Sequence, residues 1–127
     1  MKGCEMNRVL FVAGLLGATG VAAGAFGAHA LETSVTPERL AVWETAAQYH
    51  LIHAILMVAL AARTNSAGAL ERLAAVGFTL GVVLFSFSLY ALVLTDISRL
   101  AMITPIGGLI LMLSWGLLAV QAFKGKG

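Results

Sequence analysis

The feature that most constrains this chain is the spacing of its charged side chains. No Asp, Glu, Lys or Arg occurs in four windows of 23, 18, 23 and 24 residues: Val9–Leu31, Thr45–Ala62, Leu73–Thr95 and Leu100–Phe123. A helix needs about 20 apolar residues to cross a bilayer, and a charge at the bilayer centre costs at least about 2.5 kcal/mol. Backbone groups in lipid must be hydrogen-bonded within the chain, and these windows lack the alternation of barrel strands. The pattern therefore predicts an all-α integral membrane protein, a four-helix transmembrane bundle.

The composition agrees with a lipid solvent and limits the partners. Of 127 residues, 60% are hydrophobic and 11% are charged, against about 45–50% and about 25% in soluble domains. The lipid bilayer is therefore the first expected partner. A net charge of +2, dispersed along the chain, gives no reason to expect nucleic acid. Cys4 is the only cysteine, which excludes an intramolecular disulfide and a thiolate metal cluster.

The expected organisation is one transmembrane domain over residues 1–127, with helices at about 9–29, 37–62, 72–95 and 105–123. Thr36-Pro37 fits a helix N-cap followed by proline at the first helical position, and Thr104-Pro105 repeats that signal. Six Lys and Arg residues fall on one side of the predicted membrane and two, Arg39 and Arg99, on the other. The positive-inside rule then predicts cytoplasmic N- and C-termini, in a bacterial-type cytoplasmic (inner) membrane.

A cleaved signal peptide is the alternative for the first span. Lys2 and Arg8 precede the apolar run, and Ala28-His29-Ala30 resembles a small-residue cleavage site. Cleavage would leave three spans and an outside N-terminus. The apolar run is longer than the 7–15 residues, roughly, of a signal-peptide core, so four spans are favoured.

Small residues mark helix faces that can approach closely. At 100° per residue, Gly14, Gly17, Gly20, Gly24 and Gly27 fall within an arc of about 140° on the first helix. Gly77, Gly81 and Ser88 fall within about 40° on the third, and Gly107, Ser114 and Gln121 recur every seven residues on the fourth. Lipid gives helices no hydrophobic reason to associate, so such faces drive packing. The expected packing residues are the two GxxxG pairs, Gly20 with Gly24 and Gly77 with Gly81, either within the chain or in a homo-oligomer.

Polar side chains concentrate in the predicted outer half of the bundle. Polar groups in a membrane are costly and usually face the bundle interior, so this concentration is the default candidate site. The candidate cluster is His29, Trp43, Glu44, His50, His53, Ser88, Tyr90 and Thr104.

The chemistry that this cluster can support is narrow. His50 and His53 could give two metal ligands from one helix, with His29 or a carboxylate as the third. Bis-histidine haem ligation needs histidines on opposed helices, and only His29, at the membrane edge, could complete that pair. No Gly-x-Ser-x-Gly elbow surrounds Ser86 or Ser88, and no acidic residue lies mid-span for ion transport. We therefore expect no catalytic residue, no metal and no cofactor, and a protein that is not an enzyme.

Four segments in order along the chain resemble one family. They are Gly24-Ala-Phe-Gly-Ala-His-Ala-Leu31, Trp43-Glu-Thr-Ala-Ala-Gln-Tyr-His50 with His53-Ala54, Leu84-Phe-Ser-Phe-Ser-Leu-Tyr90, and Ile103-Thr-Pro-Ile-Gly-Gly108 with Trp115. Together they are similar to the YgdD-type family of small four-span inner-membrane proteins of undefined function. The resemblance implies the fold and the location, and no reaction. Phe87 departs from the family, which usually has Gly there, so close helix approach at that level is in question.

The leading hypothesis is a non-enzymatic accessory or interaction component that contacts another membrane protein or a lipid through the outer cluster. This role predicts that a glycine face stays exposed after the monomer folds. The alternative is an oligomeric transporter of small molecules or ions, or a ligand-binding membrane protein, which predicts a polar cavity in the outer half.

Overall fold

The structure, a computed structural model, describes residues 6–124, so Lys2, Cys4 and Lys126 lie outside the described residues. Within that range every regular element is helical. The elements are α1 (Arg8–Phe26), a first π segment (Gly27–Leu31), α2 (Pro37–Ala62), α3 (Ala69–Val82), a second π segment (Val83–Phe87), α4 (Ser88–Thr95), a 3-10 turn (Ser98–Met102) and α5 (Thr104–Lys124).

These elements make four helices long and apolar enough to cross a membrane: Arg8–Leu31, Pro37–Ala62, Ala69–Thr95 and Ser98–Lys124. The predicted all-α fold with four spans is confirmed. The third span begins at Ala69 rather than near 72 because the Glu71 carboxylate accepts from the Gly68 N–H at 3.4 Å and caps the first turn. A charged residue can lie in the first turn of a helix, so the helix can begin several residues before its charge-free window.

The two predicted threonine caps behave differently. The Thr36 hydroxyl accepts from the Arg39 N–H at 3.3 Å and Pro37 opens α2, which confirms the predicted N-cap. Thr104 is instead the first residue of α5, and its hydroxyl oxygen lies 2.7 Å from that of Ser88. Thr104 therefore links two helices at the point where the sequence predicted a cap.

The helices pack as neighbours in chain order. Helix α1 lies along α2, α2 lies against the third span, and α5 lies along α3 and the second π segment. Only 17% of the most apolar window of the first span is buried, and likewise 17% of the fourth, against 44% and 39% for the second and third. The first and fourth spans therefore expose most of their surface to lipid.

The two ends of the bundle differ in charge. The end at which α1 and α3 begin and α2 and α5 end carries Arg8, Arg63, Arg72 and Lys124, and is called the basic end below. There Arg63 Nε lies 2.6 Å from the buried Glu71 carboxylate, which raises the pKa of Arg63. At the opposite end Arg39 pairs with Asp96 at 2.6 Å.

Three of the four predicted packing glycines fit tightly against a neighbouring helix. A Cβ on Gly20 would lie 2.8 Å from Leu51 Cδ2, one on Gly81 would lie 2.7 Å from Leu111 Cγ, and one on Gly77 would overlap the Ser114 hydroxyl. Gly24 makes no such contact within the chain, because nothing lies within 4 Å of that position. Helix α1 turns Ala13, Leu16 and Gly20 toward the bundle, and Gly24 lies to one side of that contact.

Gly107 on α5 lies directly against the backbone of the third span. A Cβ there would lie 2.7 Å from the carbonyl carbon of Leu84 and 2.9 Å from the Cα of Phe85. Both atoms belong to the backbone of the second π segment, so no side-chain rotation could make room. Gly107 therefore fixes how α5 crosses the third span.

Candidate functional site

His50 is the centre of a hydrogen-bonded chain that crosses three helices. Its side chain is fully buried. Nδ1 lies 2.9 Å from the Tyr90 hydroxyl on α4, and Nε2 lies 3.1 Å from the Thr19 hydroxyl on α1. The Thr19 hydroxyl donates to the Leu15 carbonyl at 2.8 Å, so it must accept from His50. His50 therefore carries its proton on Nε2 and accepts from Tyr90 on Nδ1.

Gly20 is what allows α1 to reach this histidine. A Cβ at Gly20 would lie 3.4 Å from His50 Cδ2 as well as against Leu51. Because Gly20 has no side chain, the helix backbones approach closely enough for the adjacent Thr19 hydroxyl to meet the imidazole. The small face predicted from the sequence thus positions a polar contact.

His53 takes the opposite tautomer. Its Nδ1 lies 2.7 Å from the Tyr49 carbonyl, which can only accept, so Nδ1 carries the proton. The Trp115 indole N–H on α5 donates to His53 Nε2 at 3.2 Å. Phe78 closes the site, with its ring centroid 5.6 Å from that of His53. Both ring nitrogens are engaged, and the imidazole is neutral.

Trp43 anchors the end of the bundle opposite the basic end. Its indole N–H donates to the Ala23 carbonyl at 2.7 Å, and its ring centroid lies 4.5 Å from that of Tyr90. A Cβ on Gly27 would lie 2.6 Å from Trp43 Cδ1. The first π segment therefore offers the indole a surface without a side chain.

The serines of the third span bind backbone and hydroxyl groups. Ser86, fully buried, donates to the Ala46 carbonyl at 2.8 Å, and Ser88 donates to the Phe85 carbonyl at 2.9 Å and pairs with Thr104. Phe87, the residue that departs from the resembled family, points partly outward, with 37% of its surface exposed. Its ring centroid lies 5.3 Å from that of His50, with the two rings roughly perpendicular. The third span therefore still approaches α2 through Ser86 and α5 through Ser88, on either side of Phe87 in the sequence.

Six of the eight predicted cluster residues lie inside the bundle, in three separate groups. Trp43, His50 and Tyr90 form one group, Ser88 and Thr104 a second, and His53 lies in a third with Trp115. His29 and Glu44 are exposed and stand outside these contacts. The eight side chains therefore do not form one contact surface, because the buried members already satisfy one another or the backbone.

His53 also lies deeper than expected. It comes 16 residues after Pro37 and 9 before Ala62, so it belongs to the half of α2 nearer the basic end. The distribution of polar residues along the sequence predicts all three histidines in the other half. Counting from the start of α2 at Pro37 rather than from its charge-free window would have avoided this error.

Three residues of these contacts were missing from the predicted cluster: Thr19, Ser86 and Trp115. A signal existed for each of them. Thr19 is a hydroxyl in the middle of an apolar span, and Trp115 brings an indole N–H to mid-span, where an acceptor is needed. Their partners could not be read from spacing within one helix.

The described residues bring no three His, Cys, Asp or Glu side chains together in a geometry that could hold a metal ion. To act as a metal ligand, His53 Nε2 would have to give up the Trp115 N–H, and His50 Nδ1 would have to give up the Tyr90 hydroxyl. The arrangement is suited to holding helices in register.

The tautomers give a testable expectation. In protein labelled with ¹⁵N-histidine in lipid near neutral pH, His50 should show a protonated Nε2 and His53 a protonated Nδ1. Peaks are assigned with His29→Gln, which alters an exposed side chain only. Protonation of both nitrogens on His53 would contradict the Trp115 contact, since an indole N–H cannot donate to a protonated nitrogen.

The two spans that are least buried both expose large apolar side chains, which on α1 include Phe11, Leu15 and Val21. Helix α5 exposes large side chains, among them Met112, Leu113 and Phe123. Helix α1 exposes four small residues within an arc of about 80°, here called the small face of α1: Gly14, Ala18, Ala22 and Ala25. Nothing lies within 4 Å of the position that a Cβ would take on Gly14, nor on the neighbouring Gly17 and Gly24.

Comparison with known proteins gives one consistent result. The family model described as "Protein of unknown function (DUF423)" matches residues 23–108. The UPF0382 membrane protein YwdK of Bacillus subtilis is 38% identical over 120 residues, covering 92% of this chain and 98% of that protein. A UPF0382 membrane protein of Haemophilus influenzae is 35% identical over 120 residues, covering 94% and 97%. No solved structure matches.

Proposed function

The chain belongs to the DUF423 (UPF0382) family of membrane proteins, whose function is unknown, and from that premise we propose that it is a non-enzymatic accessory component that contacts another membrane protein. The observation that carries the proposal is the small face of α1. This face is exposed, and nothing lies within 4 Å of the position that a Cβ would take on Gly14, whereas Ala13 and Gly20 on α1 are buried in the bundle.

The spacing of the small residues on α1 supports this proposal. Both spans expose large apolar side chains, such as Leu15 on α1 and Leu113 on α5, but α1 also exposes a run of small residues spaced four apart. Small residues at i and i+4 let a second helix backbone approach, which is the usual basis of helix association in lipid. Gly14, Ala18 and Ala22 follow this spacing.

The buried polar contacts support a role without chemistry. Both ring nitrogens of His50 and of His53 are engaged, and Ser86 and Ser88 donate to backbone carbonyls. No side chain of these groups is left with a spare nucleophile or base. Their proposed role is to hold α2 and the third span rigid so that α1 presents a fixed surface.

We extend the proposal to location. The six-to-two distribution of Lys and Arg supports the cytoplasmic membrane with both termini in the cytoplasm. Membership of the narrower YgdD-type group also stays a proposal, supported by the four matching segments.

Native mass spectrometry on protein extracted gently from its own membrane tests the role. We expect a stoichiometric second protein with the wild type, and at least about a tenfold loss of it with Gly14→Leu/Ala18→Leu, a change of roughly 1.4 kcal/mol. The matched control is Gly116→Leu/Ala119→Leu on α5, where both positions are exposed and nothing approaches Gly116. The control should retain the partner.

Other outcomes would contradict this function. Equal loss with both double variants would show a general effect of added leucine, and a bare monomer from the wild type would remove the partner altogether. A homo-oligomer carrying a non-protein mass would favour the alternative of an oligomeric transporter or ligand-binding protein.

A further inference from the structure

A cavity of about 520 Å³ opens between α1, the end of α2 and the start of α3 at the basic end. Its walls are mainly apolar and include Val9, Val12, Leu60, Ala75 and Leu80. The volume is in the range of about 300–1,000 Å³ that is usual for ligand sites. It lies apart from the small face of α1 and from the three polar groups.

Two arginines, Arg8 and Arg72, stand at its polar end. Arg72 Nη2 donates to the Ala67 carbonyl at 3.0 Å, which orients its guanidinium. Arg8 lies in the first turn of α1, where the described part of the chain places no acidic residue. Glu71 also lines the cavity, but its carboxylate is bound by Arg63 at 2.6 Å. The polar end therefore keeps the positive charges of Arg8 and Arg72.

The cavity extends from these charges into the membrane. Along α3 it extends from Arg72 to Leu80, a rise of about 12 Å at 1.5 Å per residue, within a hydrocarbon layer of about 30 Å. An unfilled apolar space of this kind would cost its walls their dispersion contacts. In a bilayer, the acyl chain of a lipid is the group available to fill this cavity.

We propose that this cavity binds one anionic phospholipid, with its phosphate at Arg8 and Arg72 and one acyl chain along α3. Cationic side chains at the polar end of an apolar cleft between membrane helices match the two parts of such a lipid. A zwitterionic lipid carries a cation that Arg8 and Arg72 would repel. The site is independent of the partner contact proposed for α1.

Native mass spectrometry with added lipids tests the site. The probes are phosphatidylglycerol and phosphatidylcholine with identical acyl chains, presented to the purified full chain in mild detergent. We expect one phosphatidylglycerol retained, with about a tenfold preference over phosphatidylcholine, and loss of that preference in Arg8→Gln/Arg72→Gln. Inorganic phosphate in excess should not displace the lipid, because the acyl chain supplies part of the contact.

Two further variants keep the test decisive. Arg99→Gln/Lys124→Gln also removes two positive charges, but from residues that do not line the cavity. This variant should leave the lipid preference unchanged. Arg8→Lys/Arg72→Lys keeps both charges and should restore most of it, even if the glutamine variant unfolds. Equal retention of both lipids by the wild type, or equal loss of preference in the Arg99 and Lys124 variant, would overturn the proposal.

Discussion

Replacing Gly107 with alanine is expected to lower the free energy of unfolding by about 3 kcal/mol, the upper end of the usual cost of overpacking a core. The added methyl group would meet the carbonyl carbon of Leu84 at 2.7 Å and the Cα of Phe85 at 2.9 Å. Backbone atoms cannot rotate away, so α5 would have to move off the second π segment. That movement would also separate Thr104 from Ser88, which lie 2.7 Å apart.

Gly116→Ala is the matched control for this change. It lies on the same helix, and nothing comes within 4 Å of the added group. The control should be neutral or should stabilise by about 0.4–1 kcal/mol through the lower entropy of the unfolded chain. Reversible unfolding of both variants in mixed micelles gives the comparison. Equal stability of the two would mean that α5 does not approach the third span at Gly107.

The four spans were predictable because each depends on a property of its own segment. A charge in the hydrocarbon layer is costly wherever its neighbours lie, so charge-free windows locate spans before any packing is known. The same holds for faces within one helix. Gly77, Gly81 and Ser88 were predicted to share a face, and all three contact α5, at Ser114, Leu111 and Thr104.

Contacts that join two helices were not predictable from the spacing within one. The glycine arc of α1, about 140° wide, is broader than one helix contact, so the sequence could not say that Gly20 is packed and Gly24 open. The Trp115 contact with His53 depends on the axial shift of α5 against α2. That shift is set where Gly107 meets the second π segment, a feature that no charge or hydropathy pattern reveals.

The buried polar groups also explain why the candidate cluster was only partly right. Polar residues inside a membrane were expected to mark a site, and their positions were largely found, but the sequence does not say whether their partners lie in the same chain. Here a carbonyl, a hydroxyl or an indole of the same chain fills each position around His50 and His53. The cluster is therefore better explained as a set of contacts that hold the helices in register than as a surface that contacts a partner.

Trp43→Ala separates these two explanations and should have the largest effect of any single side-chain truncation. Trp43 is buried, packs on Tyr90 and Phe26, and donates to the Ala23 carbonyl at 2.7 Å. Truncation of a buried tryptophan costs about 3–5 kcal/mol. Trp43→Phe keeps most of the ring contacts and loses the one hydrogen bond, so it should cost about 0.5–1.5 kcal/mol.

The comparison residue is Trp115, whose side chain is 46% exposed although its indole N–H reaches His53. Trp115→Ala should therefore destabilise clearly less than Trp43→Ala in the same unfolding measurement. If Trp43→Ala instead kept the stability of the wild type but lost a bound partner, the aromatic end of the bundle would be a contact site, as the sequence first suggested. Loss of stability in proportion to burial, with the partner retained by the folded fraction, would leave the small face of α1 as the surface to test.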